Sequence, residues 1–393
     1  MHKTVAEGSK AALVKPWKIG EFFGSTQSTR VVREVRFHQL DSIRGLAAMT
    51  VVFLHFQNVF LPEQAIAHLS RSQLLLFRLA SPFTTGNNAV GVFFVLSGFV
   101  LMLPFLKKPW PSYRLFVLRR ILRIYGPYLV ALLIAMAGAW IYSGSGPRNV
   151  GDWGAGPWAQ PPTLRSAIDH LLLVGIYPLK FNPIFWTLIV EMRVSLIFPL
   201  LAAVVLRFRA RYVVLFGLLL SVIARFSLRE GLPPDLLTLE YTGMFLCGMV
   251  LARNLAAVGR SYNNLPKFLR ILVGIASLAL YLIAGRLSHG EDWAITAASI
   301  GFIVVAMYSS TAARLLNLAI LRLLGRVSYS LYLSHVPVLM VIAIYLGHRF
   351  SPLLLLPLYV LSAIGVAALF YLTVERPFTM LSRRVAHVRG ADI

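Results

Sequence analysis

Residues 42–61 read SIRGLAAMTVVFLHFQNVFL. Twenty helical residues at 1.5 Å each span about 30 Å, the thickness of a bilayer's hydrocarbon core. Only Arg44 near one end and His55 near the other are ionisable. The stretch is apolar all round, so it reads as a lipid-embedded helix rather than the surface helix of a soluble domain. Outward from it, nine more segments meet the same length test: 89–106, 121–141, 184–206, 211–227, 235–252, 268–285, 293–310, 327–347 and 353–375. The expected fold is an all-α integral membrane bundle of about ten transmembrane helices. Segment 166–180 (SAIDHLLLVGIYPLK) is shorter and holds Asp169 and His170; it reads as interfacial or re-entrant.

Composition agrees. Hydrophobic residues make up 58% of the 393 and charged residues 13%, against roughly 25% charged in a soluble domain. The net charge of +23 is not a nucleic-acid footprint, because the charges sit in short clusters between apolar runs and not on one face. The single cysteine, Cys247, lies inside an apolar run. It rules out a disulfide framework and any cysteine-rich metal site, and no histidine cluster has metal-ligand spacing. The first 40 residues carry Lys3, Lys10, Lys15 and Lys18 without a long apolar stretch. They read as a basic cytoplasmic tail, not a cleaved signal. Residues 41–376 form the expected membrane domain, and 377–393 a second short basic tail.

With the N-terminus inside, the cytoplasmic segments carry 28 Lys and Arg and the outer ones 9. The positive-inside rule therefore puts both termini in the cytoplasm. The longest outer loop, 142–165, contains SGSGPRNVGDWGAGPWAQPP with five glycines and four prolines, which excludes a helix or central strand. Its Trp153 and Trp158 read either as interface anchors or as part of a lid over a substrate mouth.

An ionisable side chain inside a span costs about 2.5–3.5 kcal/mol on insertion scales, so each one needs a reason. His55 lies roughly 20 Å above the inner edge of its span. Glu191, in a helix running the opposite way, lies about 10 Å below the outer edge. That expectation sets the two at one depth, where a carboxylate can fix an imidazole's tautomer and make it a general base; a structural hydrogen-bonded pair is the competing reading. Arg193, two residues after Glu191, points to another face and pairs elsewhere or snorkels. Glu240 reads as an interfacial carboxylate. His335, in VSYSLYLSHVPVL, lies about 12 Å from the inner edge of its span, on a polar stripe with Tyr329, Tyr332 and Ser334. At the inner end of the third span, Arg120 and Arg123 are spaced i, i+3 and are expected to share a helical face. With Arg44 they form a candidate clamp for a polyphosphate; positive-inside bias explains the same charges without a ligand.

These residues fall into motifs. LDSIRGLAAMTVVFLHF, FFVLSGFVL at 93–101, RRILRIYGPY at 119–128, FWTLIVEMRVSLIFPLL at 185–201, GRVSYSLYLSHVPVL at 325–339 and VERPF at 374–378 occur in order. In this the chain resembles the acyltransferase-3 family, the bacterial integral-membrane O-acyltransferases that modify surface glycans. Gly126 departs from the family's proline-rich continuation of the arginine motif, and Ser334 stands where an aromatic residue often precedes the histidine. The resemblance implies catalytic His55 and Glu191, with Arg44, Arg120 and Arg123 binding the donor. It makes Trp186, Tyr329, His335 and Ser97 substrate contacts or supports. It implies acyl-CoA, acetyl-CoA foremost, as co-substrate, with no permanently bound cofactor and no metal. The acceptor would be a carbohydrate or glycolipid, and the setting the lipid of the bacterial inner membrane. The form resembled is the stand-alone one, with no hydrolase-like domain after the last span. A transporter or flippase is the alternative that also places charge at mid-depth, but no matching inverted halves are visible. Neither the oligomeric state nor the acyl group follows from the sequence.

Overall fold

The computed structural model describes residues 37–61, 86–143, 156–173, 181–229, 234–285, 287 and 291–388. The tail up to residue 36, the loop around Trp153, segment 174–180 and the residues after 388 lie outside the described residues.

Every regular element among the described residues is helical, and ten helices are long and apolar enough to cross a membrane. We number the helices α1 His38–Phe60, α2 Gly86–Met102, α3 Tyr113–Tyr142, α4 Leu164–Leu171, α5 Phe185–Arg207, α6 Ala210–Arg229, α7 Leu237–Asn264, α8 Lys267–Ala284, α9 Glu291–Tyr308, α10 Ser310–Leu316 and α11 Ala319–Leu346. The last, α12, runs through Pro352–Phe370, Tyr371–Glu375 and Arg376–Val388. All but α4 and α10 are the expected spans. Their ends overshoot the apolar runs: α3 starts eight residues before 121, α11 eight before 327, and α12 continues to Val388. Backbone hydrogen bonding continues a helix into the charged zone, where apolar length no longer reports it.

Two helices change pitch midway. Ile121–Tyr125 in α3 and Tyr371–Glu375 in α12 are π-helical, a widened turn that frees backbone groups and often marks a functional site.

The core sits around α11, whose residues from Leu324 to Ala343 are mostly buried. Helix α8 shows the reverse, with Phe268, Ile271, Leu272, Ile275 and Leu278 all exposed. In water this would be an aggregation face; in a bilayer it is the lipid-facing side. Glycines let helices meet backbone to backbone, as where Gly248 approaches the Val95 carbonyl.

The short α4 is capped by reciprocal Thr163 and Ser166 hydrogen bonds. It is held to α3 by Tyr125 and Tyr128, whose hydroxyls donate to the Leu171 and His170 carbonyls at 2.6 and 2.8 Å. Trp158 is buried and stacks on Tyr142, so the described part of the long loop packs against α3. At one end of the bundle Arg225 ties three helices together. Its Nε meets Glu240 at 2.6 Å, and its Nη2 reaches both Asp292 and Glu291. Glu240, expected at the interface, is buried in this knot. Arg193 pairs with Asp235 at 2.7 Å.

Candidate active site

The site begins with two glycines. A Cβ on Gly45 of α1 would lie 2.5 Å from the Gly325 nitrogen of α11, and one on Gly325 would collide with the Asp41 carbonyl. The helices therefore touch backbone to backbone, and they run parallel. Ten residues beyond each glycine stands a histidine, His55 on α1 and His335 on α11. An equal rise of about 15 Å carries both to one level. There His55 Nδ1 lies 2.8 Å from His335 Nε2, and both side chains are buried. The ring centroids are 5.1 Å apart with planes within 7°. At that nitrogen separation the rings lie edge to edge in nearly one plane, the geometry of a hydrogen bond rather than of stacking.

The partners fix the protons. His335 Nδ1 lies 2.9 Å from the Leu331 carbonyl, which can only accept, so Nδ1 carries the hydrogen. In a neutral ring His335 Nε2 is then an acceptor, and His55 Nδ1 must donate to it. Neutral His55 consequently keeps its lone pair on Nε2. This assignment follows from the hydrogen-bond chain.

The expected partnership of His55 with Glu191 is corrected here: His335 takes His55 Nδ1, and Glu191 forms an ion pair with Arg120. Arg120 is buried and also donates from Nε to Ser195 at 3.1 Å. Ser195 and Glu191 lie 12 and 16 residues from Arg207 at the end of α5, so Arg120 reaches them about 18–24 Å along that helix. The arginine motif thus penetrates the bundle instead of ending at its inner edge. Arg120 is buried and Arg123, within the π-helical turn that follows it, is exposed; Arg123 still lies within electrostatic reach of Arg120, Arg44 and Glu375.

A cavity of about 40 Å³ lies beside Glu191. Arg44, Ser97, Glu191, Ser328 and Tyr329 line it on polar sides, and Phe93, Phe94, Thr187 and Tyr332 among others close it. Tyr332 also borders the histidines: its hydroxyl is 2.9 Å from Thr187 Oγ1 and its ring 6.0 Å from that of His335. Tyr329 donates to the Ile124 carbonyl at 2.9 Å, inside the first π-helical turn. Trp186 does not line the cavity; it packs on Phe94 and Tyr241 behind it. Sequence reasoning missed Glu375. This carboxylate, in the second π-helical turn, accepts from the Ser330 hydroxyl at 2.6 Å and backbone N–H at 3.1 Å. The VERPF motif was its only signal.

A family model described as an acyltransferase domain matches residues 37–372. The chain belongs to the acyltransferase-3 family. No curated protein and no solved structure matches it. Family membership makes the protein an acyltransferase, and its ten candidate spans make it a multi-pass membrane one. The matched region holds the histidine pair, the Arg120–Glu191 ion pair and the cavity that Glu191 lines. In this acyltransferase only Glu375, among the residues above, falls beyond the match.

Proposed function

We propose that the protein is an O-acyltransferase of the bacterial inner membrane. It moves a small acyl group, acetyl foremost, from cytoplasmic acyl-CoA to a hydroxyl on the outer side, on a surface polysaccharide or glycolipid sugar. The observation that carries the reading is the buried His55–His335 hydrogen bond, which puts the lone pair of neutral His55 on Nε2, with His335 one turn along α11 from Tyr332 of the cavity wall.

In the reaction His55 Nε2 takes the acceptor's hydroxyl proton while that oxygen attacks the thioester carbonyl. The proton on His55 Nδ1 can shift to His335 Nε2, so the positive charge spreads over two rings. The tetrahedral adduct expels the CoA thiolate, which recovers the proton from the pair. Such base catalysis contributes about 10²–10⁴ in rate. Arg123 and Arg44 serve the donor's phosphates, because Arg123 is exposed and Arg44 faces the cavity. Arg120, engaged with Ser195 and Glu191, fixes the wall that Glu191 forms. A cavity of about 40 Å³ has room for an acetyl-sized group. The charge bias of 28 to 9 supports a donor site facing the cytoplasm.

The test is transfer in oriented proteoliposomes. Labelled acetyl-CoA supplied on the side of the basic loops should acetylate a sugar acceptor supplied on the other. Transfer that requires both substrates on one side would overturn the two-sided reading.

A further inference from the structure

A second site lies away from the histidines. α7, α8 and α9 enclose an open groove of about 470 Å³. Its walls are one stripe from each helix, among them Tyr262 and Leu265, Val273 and Leu280, and Ile300 and Val304. The stripes repeat at three- and four-residue steps, so each helix turns a continuous apolar face to the same space. Small residues keep it open: α8 and α9 close on each other where Gly301 meets Ser277, while Ala276 and Ala297 line the groove and remain exposed.

One end of the groove is basic. Arg270 precedes Val273 and Ser277 by three and seven residues, which puts it on the groove's own stripe. Its Nε is buried and has no hydrogen-bond partner among the described residues. Arg270 acts electrostatically on Tyr262 and Arg260 on Tyr308, and Lys267 opens α8 beside them. Residues 253–285 contain no acidic side chain, so nothing on α8 or its connection to α7 neutralises this cluster.

We propose that the groove binds an anionic phospholipid: one acyl chain lies between α7, α8 and α9, and the phosphodiester accepts hydrogen bonds from Arg270, with Arg260 and Lys267 adding charge. An unpartnered guanidinium donor needs a phosphate-like acceptor, and the apolar trough above it is of the right character for a hydrocarbon chain. The argument is independent of the acyl-transfer reading.

Native mass spectrometry of the purified full-length protein, titrated with phosphatidylglycerol or with phosphatidylcholine of the same chains, tests it. One phosphatidylglycerol should be retained per chain, at least tenfold more tightly than phosphatidylcholine. Arg270→Gln should remove that preference. Ala276→Phe and Ala297→Phe, which fill the trough from opposite walls, should weaken both lipids while the protein stays monodisperse. Should one filling variant fail to fold, the other decides. Equal retention of the two lipids by the unaltered protein, or unchanged phosphatidylglycerol binding in Arg270→Gln or in a folded filling variant, would overturn the proposal.

Discussion

His55 Nδ1 and His335 Nε2 meet at 2.8 Å because their helices touch at Gly45 and Gly325, ten residues earlier on each chain segment. The geometry of the histidine pair is thus set by a backbone contact about 15 Å away.

That dependence is testable at Gly325. Gly325→Val would push α11 off the Asp41 carbonyl, and overpacking of this kind costs about 1–3 kcal/mol. We expect a lower thermal midpoint in detergent and a loss of turnover larger than the loss of folded protein. Unchanged stability and turnover in Gly325→Val would show that the contact does not position the histidines.

His335 has a separable role. His335→Ala removes the acceptor for His55 Nδ1–H and should lower turnover by about tenfold to a hundredfold, below the full general-base factor. His335→Gln can still accept that hydrogen bond but cannot take a proton. Rescue by Gln would assign His335 to positioning; no rescue would assign it to proton relay. Full activity of His335→Ala would remove it from the mechanism.

Arg120 and Glu191 form a partly buried pair, with side chains 10% and 21% exposed. Removing one partner strands the other, at a cost near the lower end of about 3–5 kcal/mol. Arg120→Met and Glu191→Met should each lower the thermal midpoint, and the double variant Arg120→Met with Glu191→Met should recover part of it. Additive losses would mean that the two side chains are not coupled.

Arg123 carries the donor prediction. Arg123→Ala should weaken acyl-CoA binding by about 1.5–3 kcal/mol, the scale of a charge-assisted hydrogen bond, with no change in thermal midpoint. Arg123→Lys should recover only part, since lysine lacks the planar fork. Calorimetry with a non-transferable acyl-CoA analogue would show this; equal affinity in Arg123→Ala would leave it a topology determinant.

The ten spans were legible because lipid exposure demands about 20 apolar residues, and that demand is local. What misled was also local. The first turns of α11, AILRLLGR, carry Arg322 and Arg326, so apolar length started that helix at 327 and placed His335 about 12 Å up. Counted from Ala319, His335 is sixteen residues in and His55 is seventeen from His38, which sets them level. The π-helical turn at Ile121–Tyr125 likewise has no mark in residue spacing, yet Arg120 is buried just before it and Arg123 exposed within it. Glu191 was rightly singled out as costly at its depth, but a depth does not name a neighbour, and Arg120 was nearer than His55. The Ser330–Glu375 contact joins residues 45 apart, and such a pairing is a property of the packed bundle alone.

The most direct test of the account is the initial rate of acyl transfer by His55→Ala in purified, folded protein supplied with acetyl-CoA and a sugar acceptor. The account predicts intact donor binding and a rate lower by about 10²–10⁴, the general-base factor. Near-normal turnover in that variant would contradict it.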